Sequence, residues 1–249
     1  MKVELISHTN NALELLLYTK NTRLQGGETL QDICEWPEEK KLDHFKYMLD
    51  TIQSSFEFVD YVFKISGVPR SFTHQLVRTR TGSYAQESQR TVDVRNHEAD
   101  IPAEAKDIIE VVTDLYGRFI DEGMQVQEAR EMLPIGIHTS IIAKFNLRTI
   151  HDMALVRLCT RTAGVYQKVF REMKRLICEI HPWAEDFIQV SCAWNGVCAF
   201  PRYTECPIHK FSLNNSAKEE MNKAKIKCRN ALEDINYVAN PIAKGGMTQ

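Results

Sequence analysis

The sequence predicts an α+β fold, rich in helix and with a modest sheet. Three observations carry that reading. Amphipathic runs of helical period recur along the 249 residues, the run "FEFVDYVFKIS" alternates as a strand does, and glycine and proline are scattered with no repeat or low-complexity tract. Hydrophobic residues at 43% and charged residues at 26% are ordinary for a globular chain and exclude disordered and fibrous classes. The length suits one compact domain spanning residues 1–249, with a cysteine-containing extension from about residue 185.

Along the chain, "LDHFKYMLDTIQSSF" reads as a helix and "FEFVDYVFKIS" as a strand buried on at least one face. A second helix restarts in "GVPRSFTHQLVRTR", with Pro69 suited to its first turn. The stretch "SYAQESQRTVDV" looks extended, which puts Gln86, Ser88 and Arg90 on one face and Glu87 and Gln89 on the other. The run from Pro102 to Leu133 has the pattern of one long amphipathic helix, ended near Pro134. A further helix is expected from about Thr139 to Ile180, interrupted near Gly164, and the last third mixes loops with one basic helix, "NNSAKEEMNKAKIKCRNALEDI".

A net charge of −2 argues against a general basic field for nucleic acid, and the basic helix also carries acids and lacks interleaved aromatics. No run approaches the eighteen apolar residues of a membrane span, and the N-terminal stretch carries acids and amides where a signal peptide needs an apolar core, so a cytoplasmic location is expected. Seven cysteines, an odd count in a chain this long, point to reduced thiols.

Positive charge is instead local, in "HQLVRTRTGSYAQESQR". Guanidinium forks, hydroxyls and backbone amides around a glycine suit a phosphate or a polarised carbonyl, although a solvated charged turn has the same composition. Ser88 has no elbow or triad context that would make it a nucleophile. In "FNLRTIHDMALVRLCTR", Arg148 and Asp152 share a helical face, as do Arg157 and Arg161. Arg148 and Arg157 would stand on opposite sides of that helix, roughly 13 Å apart along its axis.

The span from Phe56 to Arg90 resembles the flavin-dependent thymidylate synthases, whose signature is R-H-R, seven residues, then S. It reads here as Arg78, Thr79, Arg80 and then Ser88, followed by Arg90. Downstream, "AREMLPIGIHTSIIAKFNLRTIHDMALVRL" repeats the family's "AR" before "LP", its N-x-R, and an arginine nine residues beyond. The resemblance covers about Leu42 to Met173 and implies the family's fold, with a modest antiparallel sheet and long helices. It also implies a homotetramer that binds FAD and a pyrimidine nucleotide and converts dUMP to dTMP with methylenetetrahydrofolate and NADPH. Carried over by position, Gln75, Gln86, Glu87, Ser88, Arg90, Arg130 and Arg157 fall on nucleotide positions. Ser54, Arg78, Thr79, Arg80, Asn146, Arg148, Asp152 and Arg161 fall on flavin positions. Arg157 would polarise the base, and Ser88 would touch the substrate at the reacting centre without attacking it.

The chain departs from the family pattern in three places. Thr79 replaces the middle histidine and carries no charge. Ile52, Ser54, Glu57 and Phe58 stand where the family has H-x-S-x-x-E-H, and "TAGVYQKV" stands where it has A-Q-W-E after the arginine. These losses lie on the flavin and folate side, so UMP or dCMP as substrate, a hydroxymethyl product, and a non-catalytic nucleotide-binding homologue stay open beside the synthase. Cys192, Cys198 and Cys206, with His209 beyond, have looser spacing than zinc ligands usually show, and no metal is expected.

Overall fold

The computed structural model describes residues 1–51, 53–162, 164–198, 206 and 218–234. In chain order the elements are β1 (Lys2–His8), α1 (Ala12–Arg23), α2 (Leu30–Cys34), α3 (Glu38–Thr51), β2 (Asp60–Pro69), α4 (Arg70–Leu76) and β3 (Ser83–Gln86). They continue with α5 (Lys106–Asp121), α6 (Val126–Ala129), β4 (His138–Asn146), α7 (Leu147–Arg157), α8 (Gly164–Ile180), α9 (Ser191–Asn195) and α10 (Lys218–Asp234). The class is α+β, as the sequence predicts. Two compact units share these elements: Met1–Ser7 with Tyr61–Phe145, and His8–Asp60 with the described residues from Asn146 onward.

The first unit holds a four-stranded sheet of order β1-β2-β4-β3. Its strands exist because apolar residues recur at every second position. Tyr61, Phe63 and Ile65 of β2 and Thr139, Ile141, Ala143 and Phe145 of β4 are buried, while Lys64, Ile142 and Lys144 between them are exposed. β3 pairs antiparallel with β4, Ser83 opposite Lys144 and Gln86 opposite Ile141. Residues 139–146 are therefore strand, where the sequence suggested the start of a helix. Only the stretch from Leu147 is helical, and the expected break near Gly164 is where α8 begins.

The expected long helix over 102–133 is divided. Gly123, at φ +95, ends α5 by donating to the Ile120 carbonyl while Met124 donates to that of Phe119, a left-handed cap that stops the helix. α6 and a 3-10 turn at Arg130–Met132 follow. Tyr116 of α5 anchors this segment, buried with Val94, Ala129 and Ile137, its hydroxyl accepting from the Val94 N–H at 3.2 Å. Pro69 is the residue before α4 rather than part of its first turn. The extended stretch also stops early: after Gln86 the chain turns, with Thr91 and Val92 both donating to the Ser88 carbonyl. Ser88 and Arg90 thus do not continue a strand face with Gln86.

The second unit packs helices around aromatic rings. Phe187 stacks on Phe56 at 4.0 Å and on His151 at 4.2 Å, and Trp194 meets His151 edge-on. His151 is buried and its Nδ1 donates to the Phe187 carbonyl at 2.7 Å; burial lowers its pKa, and that hydrogen bond opposes the shift. Lys41, also buried, is neutralised by Glu14 at 2.7 Å.

Gly136 opens the turn into β4, and a Cβ there would drive into the Asp100 carbonyl oxygen, whereas one on Gly27 would meet nothing within 4 Å. Gly136→Ala is expected to cost about 2 kcal/mol or more by urea denaturation, and Gly27→Ala less than about 0.5 kcal/mol. Acid is a second test. Burial, with the neighbouring His8 ring, holds His181 down to about 4, and Glu14 opposes the shift. A folded pKa below the unfolded one means that the unfolded chain takes up the proton first. Stability is then complete above about pH 6.5 and is lost as pH falls towards 4. Thermal melts across that range should show a falling Tm, and His181→Gln should reduce the slope.

Candidate active site

In the first unit α4 ends in a tight turn, the N–H groups of Arg78 and Thr79 donating to the carbonyls of Gln75 and Leu76. The Tyr84 hydroxyl of β3 closes it, 3.0 Å from the Leu76 carbonyl and 2.7 Å from that of Thr79. Gly82 is required by that closure, since a Cβ would come within 2.5 Å of the Phe145 ring and the Tyr84 hydroxyl. Arg78, Arg80 and Gln75 are exposed on this turn, and Arg90 is exposed beyond Ser88. Among the described residues no carboxylate pairs with Arg78, Arg80 or Arg90, so three forks on one short stretch carry uncompensated charge.

The intervening polar residues are partly committed. Gln86 donates through Nε2 to Thr73 Oγ1 at 2.8 Å, and Ser88 Oγ accepts from the Arg90 N–H at 3.2 Å. Among the described residues no histidine or carboxylate bonds to Ser88, which therefore has no activating base. Glu87 is half-buried, its Oε1 3.6 Å from His97 Nδ1. Arg130 donates through Nε to the Gln127 carbonyl at 3.2 Å and faces Glu131 at 3.3 Å.

The second unit carries the remaining candidates. Asn146 is the N-cap of α7, its Oδ1 accepting from the Thr149 N–H at 2.8 Å. Arg148 reaches Asp152 across one turn at 3.4 Å, the pairing expected from their spacing. Arg157, the last residue of α7, lies over the Tyr166 ring at 4.1 Å, which fixes its fork without consuming its charge. Arg161 lies past the end of α7 and does not share a helical face with Arg157, contrary to the expectation. Ser54 sits in the 3-10 turn Gln53–Phe58. Ile52 of the altered histidine run lies outside the described residues.

Two features escape sequence reasoning. Arg70 opens α4 with its Nη1 buried and unbonded, and His138 Nε2 meets Asp100 Oδ1 at 2.9 Å. Only the position of Arg70 directly after Pro69 could have drawn attention to it. Among the cysteines, Cys192 and Cys228 hydrogen-bond to each other and Cys206 contacts Thr160 Oγ1 at 3.3 Å, while His209 lies outside the described residues. Among the described residues no cysteine forms a disulfide, burial pushes the Cys178 thiol up to about 11, and no three acidic, histidine or cysteine side chains stand ready to hold a metal ion.

The fold is that of the flavin-dependent thymidylate synthases. The likeness to a solved structure described as flavin-dependent thymidylate synthase ThyX from Helicobacter pylori, complexed with FAD and dUMP, has a TM-score of 0.61 at 16% identity, over 76% of this chain and 100% of that one. The chain belongs to the family described as thymidylate synthase complementing protein, whose sequence profile matches residues 4–183, a longer span than the motifs alone suggest. Proteins named flavin-dependent thymidylate synthase from Clostridium tetani and Sulfurisphaera tokodaii are 28% and 27% identical, over 80% and 77% of this chain and 90% and 79% of theirs.

The cap is directly testable. Asn146→Ala should cost about 1 kcal/mol in denaturant unfolding, and Asn146→Asp, which still accepts from Thr149, should restore most of it.

Proposed function

We propose that this chain is a flavin-dependent thymidylate synthase that converts dUMP to dTMP. The observation that carries the reading is the family match across residues 4–183, within which Arg78, Arg80 and Arg90 have no carboxylate partner among the described residues. Methylenetetrahydrofolate as one-carbon donor, NADPH as reductant, a homotetrameric assembly and a cytoplasmic location belong to the same proposal. Assembly is supported by Ile108 and Val111, one turn apart on α5 and 65% and 66% exposed.

FAD fits the side chains that are present. A dinucleotide diphosphate needs fixed cations, and Arg78 and Arg80 offer two forks that meet no acid among the described residues, on a turn held by Tyr84. In the second unit Arg148, whose contact with Asp152 is long, is a candidate for contact with the flavin. When bound, the flavin supplies the electron transfer of the reaction.

The chain's own residues then bind and orient. Arg157, its plane set by Tyr166, is suited to stabilise negative charge developing on a pyrimidine carbonyl. Arg90 and Arg130 are suited to clamp the nucleotide, with Gln75, Gln86, Glu87 and Ser88 offering hydrogen bonds to sugar and base. Ser88, lacking a base, serves as a contact.

The test is mass spectrometry of products after incubating the purified chain with FAD, NADPH, methylenetetrahydrofolate and, separately, dUMP, UMP or dCMP. dTMP from dUMP is the expected result. A methylated or hydroxymethylated product from UMP or dCMP alone would redirect the substrate, and nucleotide binding without any product would leave a non-catalytic homologue. Arg157→Ala should lower kcat/KM about a hundredfold or more, and Ser88→Ala less than about tenfold.

A further inference from the structure

Two buried thiols face each other in the second unit. Cys192 of α9 is 8% exposed and Cys228 of α10 0%, and the two hydrogen-bond across the helix pair. Among the described residues no three thiol, histidine or carboxylate groups are arranged around a metal position, so this contact is a pair and not a ligand set.

The contact lies where α10 has little else to hold it. Among the named elements α10 packs chiefly on α9, and over residues 223–231 it buries only Ala224 and Cys228, four apart and therefore on one face. Arg229 adds an ion pair with Asp186 at 2.7 Å, but the two side chains are 35% and 50% exposed, and such pairs contribute little. A helix held by so narrow a seam opens locally at small cost, and opening brings Cys228 to solvent.

The chemistry of the pair suits oxidation. The Cys192 S–H donates to the Cys228 sulfur, which lowers the Cys228 pKa against the opposing effect of burial. The same hydrogen bond, with burial, raises that of Cys192. One sulfur thus favours the reactive thiolate while its neighbour keeps a proton beside it. Cys178 on α8 is the contrast: burial pushes its thiol up to about 11, which keeps it protonated and inert.

We propose that Cys192 and Cys228 are a peroxide-sensitive pair that closes into a disulfide and staples α10 to α9. The Cys228 thiolate attacks hydrogen peroxide, its sulfur is oxidised to the sulfenic acid as the O–O bond breaks, and the leaving hydroxide takes up a proton to form water. The Cys192 sulfur then displaces hydroxide from the sulfenic acid, and its own proton leaves with that hydroxide as a second water. Two thiols are oxidised to one disulfide, one peroxide is reduced to two waters, and a small-molecule thiol reverses the bond by exchange. The staple is independent of the nucleotide reading.

The test treats the full, reduced chain with hydrogen peroxide, blocks the remaining thiols with N-ethylmaleimide and maps the peptides by mass spectrometry, with hydrogen exchange measured on the oxidised and reduced chains. The expected result is a Cys192–Cys228 disulfide that dithiothreitol reverses, Cys178 still reduced, and backbone exchange over residues 218–231 slowed about tenfold or more by oxidation. Cys192→Ser and Cys228→Ser should each abolish both the bond and the slowing, whereas Cys178→Ala should keep both. No bond between Cys192 and Cys228, or one that joins either of them to Cys198 or Cys206 instead, overturns the assignment. A Cys192–Cys228 bond that leaves exchange in α10 unchanged overturns the staple. A metal ion bound stoichiometrically by the purified chain and released when these thiols are oxidised also overturns it, since the pair is then part of a ligand set.

Discussion

The Tyr84 hydroxyl, set against the Leu76 and Thr79 carbonyls, is the contact on which the arrangement of the arginine turn depends. It ties the end of α4 to β3, and β3 is in turn fixed by its ladder with β4. Arg78 and Arg80 leave the backbone from inside that closure. Their long side chains are exposed, but the points from which they start are set. Preorganising the base of a flexible cation reduces the entropy lost when it grips an anion. The absence of a side chain at Gly82 serves the same closure, since any Cβ would strike the hydroxyl that makes it.

The polar residues of the candidate site divide by what already occupies them. Asn146 and Gln86 spend hydrogen-bonding capacity on the fold, and Arg148 spends charge on Asp152. Arg157 is positioned by a ring that takes none of its donors, and among the described residues no side chain holds Arg78, Arg80 or Arg90. A guanidinium with its charge unspent is the costlier arrangement for an isolated chain and the more useful one for an anionic ligand.

Much of this was legible in the sequence where the signal is local. The spacing of Arg148 and Asp152, the break before α8 and the α4 helix follow from period and chain chemistry. β4 was misread because "HTSIIAKFN" is a short apolar run that suits a helix or a strand, and only pairing with β3 decides between them. The division between α5 and α6 does not show in the amphipathic pattern, which runs on past Gly123, whereas the positive φ of that glycine makes it a stop. Arg70 was invisible for a different reason: nothing in its neighbours says that Glu87, seventeen residues on, will border the same strand.

Asn146 is at once the last residue of β4 and the cap of α7, so strand and helix meet with no linker between them. Two periodicities, two residues and 3.6 residues, are thus joined at a single position. Inserting or deleting one residue there would either reverse the faces of β4 or turn α7 by about 100°, swinging Arg148 and Arg157 about its axis. Substitutions along this stretch can be absorbed one side chain at a time, but changes of length cannot. The count from Thr139 to Arg157 thus acts as a fixed ruler between the sheet and the arginines of α7.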